Sequence, residues 1–305
     1  MEGRQEVVAP SELGSRLAES LSDATFRKTA QAGLDCAEAN RPYFGKTIAD
    51  IEIPRDPAPA IVIVGGPSLH RRKIVPRIAA SGFKGNIVVA DGSLGTCLRN
   101  GLIPQYMVTV DGHPYRIVRW LGDTELETRP QDDYFTRQDF DPEFWKDEVR
   151  TNRQLLELVN RHGPKIKAVI STSVHTTVTK RCVGSGMDLY WWNPLYDDTD
   201  RPDSVTRKLY ESNRIPCMTT GGNVGTAAWV FAHSVLGAKD VAVVGMDLGY
   251  APGTPLRNTQ YYYELKEMLG ERLQEAYTEV HNPKLGETWF TDPTYLWYRK
   301  IFIEL

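Results

Sequence analysis

IVIVGGPSLH, which runs from residue 61 to residue 70, is the stretch that decides the fold of this chain. Its first four residues are apolar and β-branched, which is typical of a strand buried on both faces of a parallel sheet. Gly65 and Gly66 then permit a tight turn, and Ser68 is suited to be the N-cap of a helix. A strand, a glycine turn and a helix N-terminus together present N–H groups to an anion, so the pattern predicts a phosphate-binding turn.

This phosphate prediction has an alternative. The GxGxxG spacing of dinucleotide-binding turns is absent from the stretch that follows the strand. An ordinary tight turn between a strand and a helix, without a ligand, would use the same residues. The sequence of this stretch by itself leaves both interpretations open.

The overall composition argues against several classes of protein. The 305 residues carry a formal net charge of −3, which gives no reason to expect a nucleic-acid partner. The four cysteines form no CxxC pair, which indicates neither a zinc site nor a disulfide framework. The N-terminus has no apolar h-region, and no apolar run reaches the length of a membrane span. The sequence therefore predicts a cytoplasmic protein without a membrane span.

Strand and helix patterns alternate from residue 60 onward. Helical patterns over Arg71–Ser81 and Leu94–Asn100 separate the first three strands. Further buried-strand patterns lie at Asn86–Asp91, Tyr106–Asp111, Lys167–Thr172, Met187–Asn193 and Val241–Asp247. This alternation predicts right-handed βαβ units, and hence an α/β fold with a Rossmann-like parallel sheet and helices on both faces.

The chain divides into three predicted segments. Residues 1–57 predict an N-terminal helical extension, with a first helix that Ser11 could cap, and we interpret it as material for packing or for a homo-oligomer contact. Residues 58–255 form the predicted nucleotide-binding domain, with an acidic insert at about 123–164 that ends in a helix over Asp147–Arg161. Residues 256–305 predict a C-terminal helical segment that includes a helix over Tyr261–Ala276.

Three acids stand where predicted strands end. Asp91, Asp111 and Asp247 each close a strand pattern, and ligands of open α/β sheets bind outside the carboxyl ends of the strands. Carboxylates beside a phosphate hold Mg²⁺ or bond to a ribose, so these aspartates are candidates for either role. Each of the three aspartates could instead cap the turn that follows it.

A second glycine-rich turn precedes a helix at GGNVGT, residues 221–226. Asn223 could bind a base, a ribose or a sugar hydroxyl there, with Gly222 beside it. Its alternative role is to be the N-cap of the helix. The sequence leaves these two roles of Asn223 open.

Two histidines lie next to predicted strand ends. His113 follows the third strand, and His175 follows the fourth strand together with Thr172 and Ser173. Either histidine could be a general base because an unperturbed imidazole titrates near neutrality, and either could be structural.

These motifs resemble the DUF115 group, which includes the archaeal MptE-like 6-hydroxymethylpterin diphosphokinases and the Maf motility-associated flagellin glycosyltransferases. The resemblance runs from about Ile61 to Tyr250 and rests on GGPSL, ADGSLGTCLRNGLIPQYMVTVD and GGNVGTAAWVFAHSVLGAKDVAVVGMDLGY. The middle block is also similar to thiamin-pyrophosphokinase-type enzymes, in which aspartates of an ADG…P…D pattern bind magnesium. This similarity implies that Asp91 and Asp111 are the metal ligands. GGPSL is similar to the nucleotide loop of bacterial sialyltransferases.

Within the group, the later motifs resemble the Maf type. The similar parts are the Gly-Asn-Val turn, the G-x-DLxY strand end and the closing TDPTYLWYRKIFIEL. Maf-type proteins tend to have a histidine soon after DLxY, whereas APGTPLRNTQYYYE at residues 251–264 has none. The resemblance therefore names no catalytic base for this chain.

The resemblance implies a transferase, with three alternatives for its activity. The first is a Maf-like glycosyltransferase that uses a nucleotide-activated sugar of the CMP-linked nonulosonic acid type. The second is an MptE-like 6-hydroxymethyl-7,8-dihydropterin diphosphokinase that transfers pyrophosphate from ATP with Mg²⁺. The third is a non-catalytic nucleotide-binding module. The expected ligand is accordingly a nucleotide or nucleotide sugar, either a CMP-sugar or ATP, with Mg²⁺ as the expected metal.

The candidate site residues follow from these patterns and from the resemblance. The catalytic candidates are Asp111, Asp247, His113 and His175. The candidates for binding the nucleotide or the sugar are Gly65, Gly66, Pro67, Ser68, Asp91, Gly92, Ser93, Thr172, Ser173, Gly222 and Asn223.

Overall fold

A computed structural model of the chain describes residues 30–129, 142–283 and 286–305. The predicted helix that begins at Ser11, and residues 130–141 of the acidic insert, lie outside these ranges. Within the described ranges, no helix is both long enough and apolar enough to span a membrane.

Seven parallel strands form one sheet, which confirms the predicted α/β fold. Their spatial order is β6-β5-β4-β3-β2-β1-β7. The strands are β1 (Ala60–Ile63), β2 (Asn86–Ala90), β3 (Tyr106–Thr109), β4 (Lys167–Ser171), β5 (Asp188–Pro194), β6 (Cys217–Met218) and β7 (Val241–Val244).

The order of strands reverses at β1. The chain places β2 to β6 successively on one side of β1 and then returns to place β7 on the other side. Ile61 of β1 pairs with Ile87 of β2 and with Ala242 of β7, so the three strands end close to one another. In open α/β sheets, a crevice for ligands lies outside the carboxyl ends of the strands at such a reversal. The segments that follow β1 and β7 are therefore the first place to look for a site.

Helices lie on both faces of the sheet, as predicted. They are α1 (residues 30–40), α2 (Ser68–Arg71), α3 (Ile74–Ala80), α4 (Asp91–Arg99), α5 (Arg116–Trp120), α6 (Pro142–His162), α7 (Thr176–Gly184), α8 (Val205–Asn213), α9 (Val224–Val230), α10 (Tyr262–Leu269) and α11 (Pro293–Glu304). α9 continues as a π-helical turn over Phe231–Val235. Shorter 3₁₀ turns cover Arg41–Tyr43, Ile48–Asp50, Leu126–Thr128, Gly163–Lys165, Leu256–Asn258 and Gly270–Ala276.

Two apolar cores lie against the opposite faces of the sheet. Side chains alternate between them along each strand, so Ile63 of β1 joins the core formed with α3 to α7, and Val62 joins the core formed with α9. Because successive side chains enter opposite cores and both cores are apolar, the strands are continuous apolar runs in the sequence.

The N-terminal extension is attached to the sheet by buried polar contacts. At the end of α1, the Asn40 side chain donates to the carbonyl oxygens of Thr172 and Val174, at 3.3 and 2.7 Å. Asn40 is fully buried. The described part of this segment is therefore integrated with the end of β4.

The predicted helix over Arg71–Ser81 is wrong in its bounds, because two helices occupy this region. Lys73 separates α2 from α3 with φ of +49°, a left-handed conformation that ends regular helix. Pro76 explains the break, since its ring and missing N–H prevent one helix from continuing through α3 from α2. Pro67, and not Ser68, is the N-cap of α2.

Other predicted bounds also differ from the structure. α4 begins at Asp91 rather than at Leu94, directly after β2. The predicted helix over Tyr261–Ala276 ends as an α-helix at Leu269, because Gly270 has φ of +56°. The rest of that stretch is a 3₁₀ turn.

The C-terminal segment contains a hairpin that the sequence analysis does not predict. The antiparallel strands β8 (Thr278–Asn282) and β9 (Glu287–Thr291) precede α11. The hairpin reaches the main sheet region through one bridge, between Tyr250 and Phe290. The segment is therefore helical only in part.

Candidate functional site

The turns at the carboxyl edge of β1, β2 and β7 converge on one place. A side chain built on Gly65 would begin 3.7 Å from the Ser93 Oγ of α4. A side chain built on Gly66 would begin 2.6 Å from the Asp247 carboxylate, which follows β7. The glycines thus allow a close approach of turns that lie far apart in the sequence.

The second glycine-rich turn joins the same edge. α9 begins there, and a side chain on Gly225 would begin 3.0 Å from Val64, which follows β1, and 2.9 Å from Met246, which follows β7. The structure therefore brings the turn around residues 221–225 next to the turn around Gly65.

The turn before α2 uses three of its N–H groups in hydrogen bonds within the chain. Gly66 N–H donates to the Gly245 carbonyl at 2.8 Å, and Leu69 N–H donates to the Gly66 carbonyl at 3.1 Å. Ser68 N–H donates to Asp247 Oδ2 at 2.7 Å. Asp247 thus caps α2 across the reversal in strand order and stands where the sequence predicted a phosphate.

The N-terminus of α4 differs, because its N-cap residue makes no side-chain hydrogen bond and the side chain that takes an N–H there, that of Asp91, lies within the helix. Its N-cap residue is Ala90, which offers no side-chain acceptor. Ser93 lies in the first turn, is 1% exposed, and its hydroxyl has no hydrogen-bond partner among the described residues. Gly92 and Gly65 on either side of it are exposed.

Asp91 is a buried carboxyl group at the first position of α4. It is 1% exposed, and its Oδ1 accepts the Gly92 N–H at 2.7 Å. Burial raises the pKa of Asp91 to about 6, and the neighbouring Thr109 hydroxyl and the Gly92 N–H oppose this rise. The Asp111 charge adds to the rise, and the Arg116 charge opposes it.

Asp111 is the more accessible of the two carboxylates predicted to bind metal. Its side chain is 47% exposed, with Oδ2 3.8 Å from the Arg116 guanidinium. Asp111 Oδ1 accepts the His113 N–H at 2.9 Å. The carboxylate therefore stabilises the turn before α5 while it still faces solvent.

Both candidate histidines accept hydrogen bonds at a helix N-terminus. His113 Nδ1 accepts the N–H groups of Tyr115 and Arg116, at 3.2 and 3.1 Å. His175 is the N-cap of α7, where its Nδ1 accepts the Thr177 N–H at 3.3 Å. Burial lowers the pKa of His175, and the nearby positive charges of Arg129, His113 and Lys180 add to this effect.

Thr172 and Ser173 are held by structural contacts. The Thr172 hydroxyl donates to Asn193 Oδ1 at 2.9 Å, and the Ser173 hydroxyl donates to the Val110 carbonyl at 2.8 Å. Both residues are buried at the ends of β3 to β5. Their hydroxyl groups link neighbouring strand ends in this structure.

Asn223 has the capping role that the sequence left open. It is the N-cap of α9, its Oδ1 accepts the Thr226 N–H at 2.9 Å, and its Nδ2 donates to the Thr226 hydroxyl at 2.9 Å. Gly222 beside it has φ of +84° and is covered by the rings of Tyr298 and Trp297.

Arg116 and Tyr298 are functional candidates that the sequence analysis missed. Burial raises the pKa of Tyr298; Asp111 contributes to the rise and Arg116 opposes it, so the Tyr298 hydroxyl lies near both charges. Arg116 gives no signal in the sequence because it lies in a helix past the strand end. Tyr298 lies in the C-terminal segment, and only the packing of α11 over Gly222 brings it to this edge.

The described residues do not fit a preassembled magnesium site. Within the ranges that the structure covers, no three His, Cys, Asp or Glu side chains are grouped so that they could hold a metal ion. Asp91 is buried with a raised pKa, and Asp111 is paired with Arg116. The assignment of Asp91 and Asp111 to a metal stays a prediction.

Fold and edge geometry define an α/β protein whose strand order reverses at β1, with the turns after β1, β2 and β7 close together at that edge. A solved structure to which the chain is similar is that of the Maf glycosyltransferase from Magnetospirillum magneticum AMB-1, with a TM-score of 0.44 and 16% sequence identity over 84% of this chain. The chain covers 33% of that protein's length. No protein-family model matches the sequence, and no curated protein matches it.

Proposed function

We propose that this protein is a Maf-like glycosyltransferase that uses a nucleotide-activated sugar of the CMP-linked nonulosonic acid type. The observation that carries the proposal is the crevice at the reversal of the sheet, where exposed Gly65 and Gly92 flank the buried, unpartnered hydroxyl of Ser93. The Gly-Asn-Val turn and the G-x-DLxY strand end, which resemble the Maf type, lie next to the turn around Gly65.

The geometry suits the departure of a nucleotide. Transfer of the sugar leaves negative charge on the phosphate of the leaving nucleotide, and helix N–H groups with the positive end of a helix dipole stabilise such charge. α4 begins at this edge, and its N-cap residue Ala90 offers no side-chain acceptor. Gly65 and Gly92 allow the ligand to approach the backbone there.

Two carboxylates have separate roles in this proposal. Asp111, which is half exposed beside Arg116, orients the hydroxyl group of the acceptor. Asp247 holds the Ser68 N–H and thereby keeps the turns after β1 and β7 together. Asp247 is accordingly a positioning residue for the crevice.

Titration calorimetry with CMP, CTP, UDP and ATP, each with and without Mg²⁺, tests the choice of nucleotide. We expect cytidine nucleotides to bind more tightly than the others. ATP binding that requires Mg²⁺, without a response to CMP, would contradict the proposal and support a pterin diphosphokinase. Binding of CMP without turnover of any CMP-sugar would support a non-catalytic module.

Asp111→Asn tests the assignment of the acceptor site. We expect turnover to fall by about 10²-fold because the acceptor hydroxyl loses its carboxylate partner, while the Kd of CMP stays within about twofold. Asp56→Asn is the matched control, since Asp56 is exposed in the loop before β1, at the opposite edge of the sheet. If Asp111→Asn instead abolishes an effect of Mg²⁺ on binding, Asp111 is a metal ligand.

A further inference from the structure

We propose that the N-terminus of α4, with Ser93, Gly92 and Gly65 around it, is the site that binds a phosphate group, and that the turn before α2 is not. This inference rests on the proposed function for the identity of the nucleotide. It assigns the phosphate to a different helix from the one that the GGPSL motif indicates.

Three N–H groups of the turn before α2 are taken within the chain. Gly66, Ser68 and Leu69 all donate within the chain, and Pro67 has no N–H. Ser68 donates to a carboxylate, so an anion placed there would meet the negative charge of Asp247. α2 is also only four residues long, which makes its dipole weak.

The N-terminus of α4 also has a carboxyl group, Asp91, which takes the Gly92 N–H, but burial raises the pKa of that group to about 6 and a hydroxyl group close to it has no partner among the described residues. The helix is nine residues long, and its N-cap residue Ala90 provides no side-chain acceptor. The Ser93 hydroxyl is buried, and no described residue is its hydrogen-bond partner. Buried hydroxyl groups in folded proteins are nearly always paired, so an unpaired one at a crevice indicates a ligand atom.

The position of the hydroxyl indicates where that ligand atom lies. Ser93 Oγ is 3.7 Å from the point where a side chain on Gly65 would begin, and the Gly92 carbonyl is 3.9 Å from the same point. Gly65 and Gly92 are both exposed, so the space between them opens to solvent. A phosphate oxygen in this space would accept the Ser93 O–H and lie over the first turn of α4.

The charged groups that act on this position are Asp91 and Arg116. Asp91 takes the Gly92 N–H, which leaves the Ser93 side chain as the donor for the ligand. Burial holds the pKa of Asp91 at about 6, and the Arg116 charge acts on the same carboxyl group. Asp111, which pairs with Arg116 at 3.8 Å, acts on Asp91 in the opposite sense.

The test compares nucleotides with their nucleosides in binding to the full chain. The probes are CMP against cytidine, and ATP against adenosine, in titration calorimetry. We expect Ser93→Ala to weaken the nucleotide by about tenfold and to leave the nucleoside unchanged, because a hydrogen bond to a charged oxygen is lost. Ser81→Ala, an exposed serine at the end of α3, is the matched control.

A second variant keeps the Ser93 hydroxyl and fills the space in front of it. Gly65→Ala would place a methyl group in ordinary contact with Ser93 Oγ, and we expect it to weaken the nucleotide by a similar factor. Gly45→Ala is its control, since a side chain there meets no atom within 4 Å. The melting temperatures of all four variants identify any that fail to fold.

The outcomes separate this inference from the proposed function. If CMP binds tightly and neither Ser93→Ala nor Gly65→Ala changes its Kd, the α4 site is overturned, while the glycosyltransferase proposal still stands. If ATP binds more tightly than CMP and Ser93→Ala removes that tight binding, the glycosyltransferase proposal is overturned and the α4 site is supported. The α4 site is overturned if Ser68→Ala weakens nucleotide binding more than Ser93→Ala does. It is also overturned if nucleotides bind no better than their nucleosides.

Discussion

Single polar residues at the strand ends have two uses in this protein, capping and ligand contact, and their environment decides between them. Asp247 and Asn223 both accept an N–H at the start of a helix, in α2 and α9. Ser93 lies in the first turn of α4, and its hydroxyl group has no partner among the described residues. Residue type by itself gives all three the same prediction, because aspartate, asparagine and serine are all good capping residues.

Asp91 gives a pH-dependent prediction at this scale. Burial raises its pKa from 3.8 to about 6 in the folded chain, so the folded state favours the protonated carboxyl group. Its contribution to stability is therefore present below pH 3.8 and is lost as the pH rises through about 6. Asp91→Asn cannot ionise, yet its amide oxygen can still accept the Gly92 N–H.

We expect the difference in free energy of unfolding between Asp91→Asn and the natural chain to shift by about 3 kcal/mol in favour of the variant as the pH rises from 4 to 7.5. Urea unfolding at several pH values measures this difference. Asp56→Asn, at an exposed position, is the control and should track the natural chain. Parallel pH profiles for Asp91→Asn and the natural chain would show that the carboxyl group is not buried as described.

At the scale of elements, helix ends were the least predictable part of the chain. The apolar spacing placed a helix in the region after β1, but the break at Lys73 depends on how Pro76 meets the turn before it. α11 gives a second case: its sequence predicts a helix, and its packing over Gly222 of the turn before α9 is a tertiary contact. The spacing of apolar residues predicts that a segment is helical, but it does not predict which turn of the protein that helix packs against.

Gly222→Ala tests the contact between α11 and the second glycine-rich turn. Gly222 has φ of +84°, and a side chain there would begin 2.7 Å from the Tyr298 ring. Gly253 has nearly the same conformation, with φ of +82°, but a side chain there meets no atom within 4 Å. Gly253→Ala therefore measures the backbone cost alone, about 1 kcal/mol.

We expect Gly222→Ala to lose about 2 kcal/mol more free energy of unfolding than Gly253→Ala, because it also disturbs the packing of Tyr298. Chemical denaturation of both variants gives this difference. Equal losses in the two variants would mean that α11 does not press on this turn.

At the scale of the whole molecule, the C-terminal residues are attached to the domain through a buried carboxyl group. Asp292 is fully buried; its Oδ2 accepts the Tyr250 hydroxyl at 2.6 Å, and its Oδ1 accepts the Tyr295 N–H at 2.9 Å. Tyr250 also accepts the Gln260 N–H at 3.0 Å. Residues after β7, before α10 and at the start of α11 thus meet at one point.

Tyr250→Phe tests this attachment. It removes one donor from a buried carboxyl group, and we expect a loss of about 1.5–3 kcal/mol in free energy of unfolding. Hydrogen exchange should become faster in α11 than in β1 to β4, since α11 begins at Asp292. Tyr210→Phe is the control because Tyr210 is 42% exposed. A loss no larger than that of Tyr210→Phe would contradict the role of the Tyr250 hydroxyl.

The sequence by itself determined the α/β class, the core strands and the edge of the sheet where polar residues gather. Apolar runs of β-branched residues and glycine turns are local, and they are visible without any knowledge of neighbours. The tertiary structure alone decided that Asp247 occupies the N-terminus of α2 and that Ser93 is left without a partner. It also placed Arg116 beside Asp111 and the Tyr298 ring against the turn at Gly222. These outcomes depend on which strands become neighbours across the reversal at β1, and a pairing between distant segments leaves no periodic trace in the sequence.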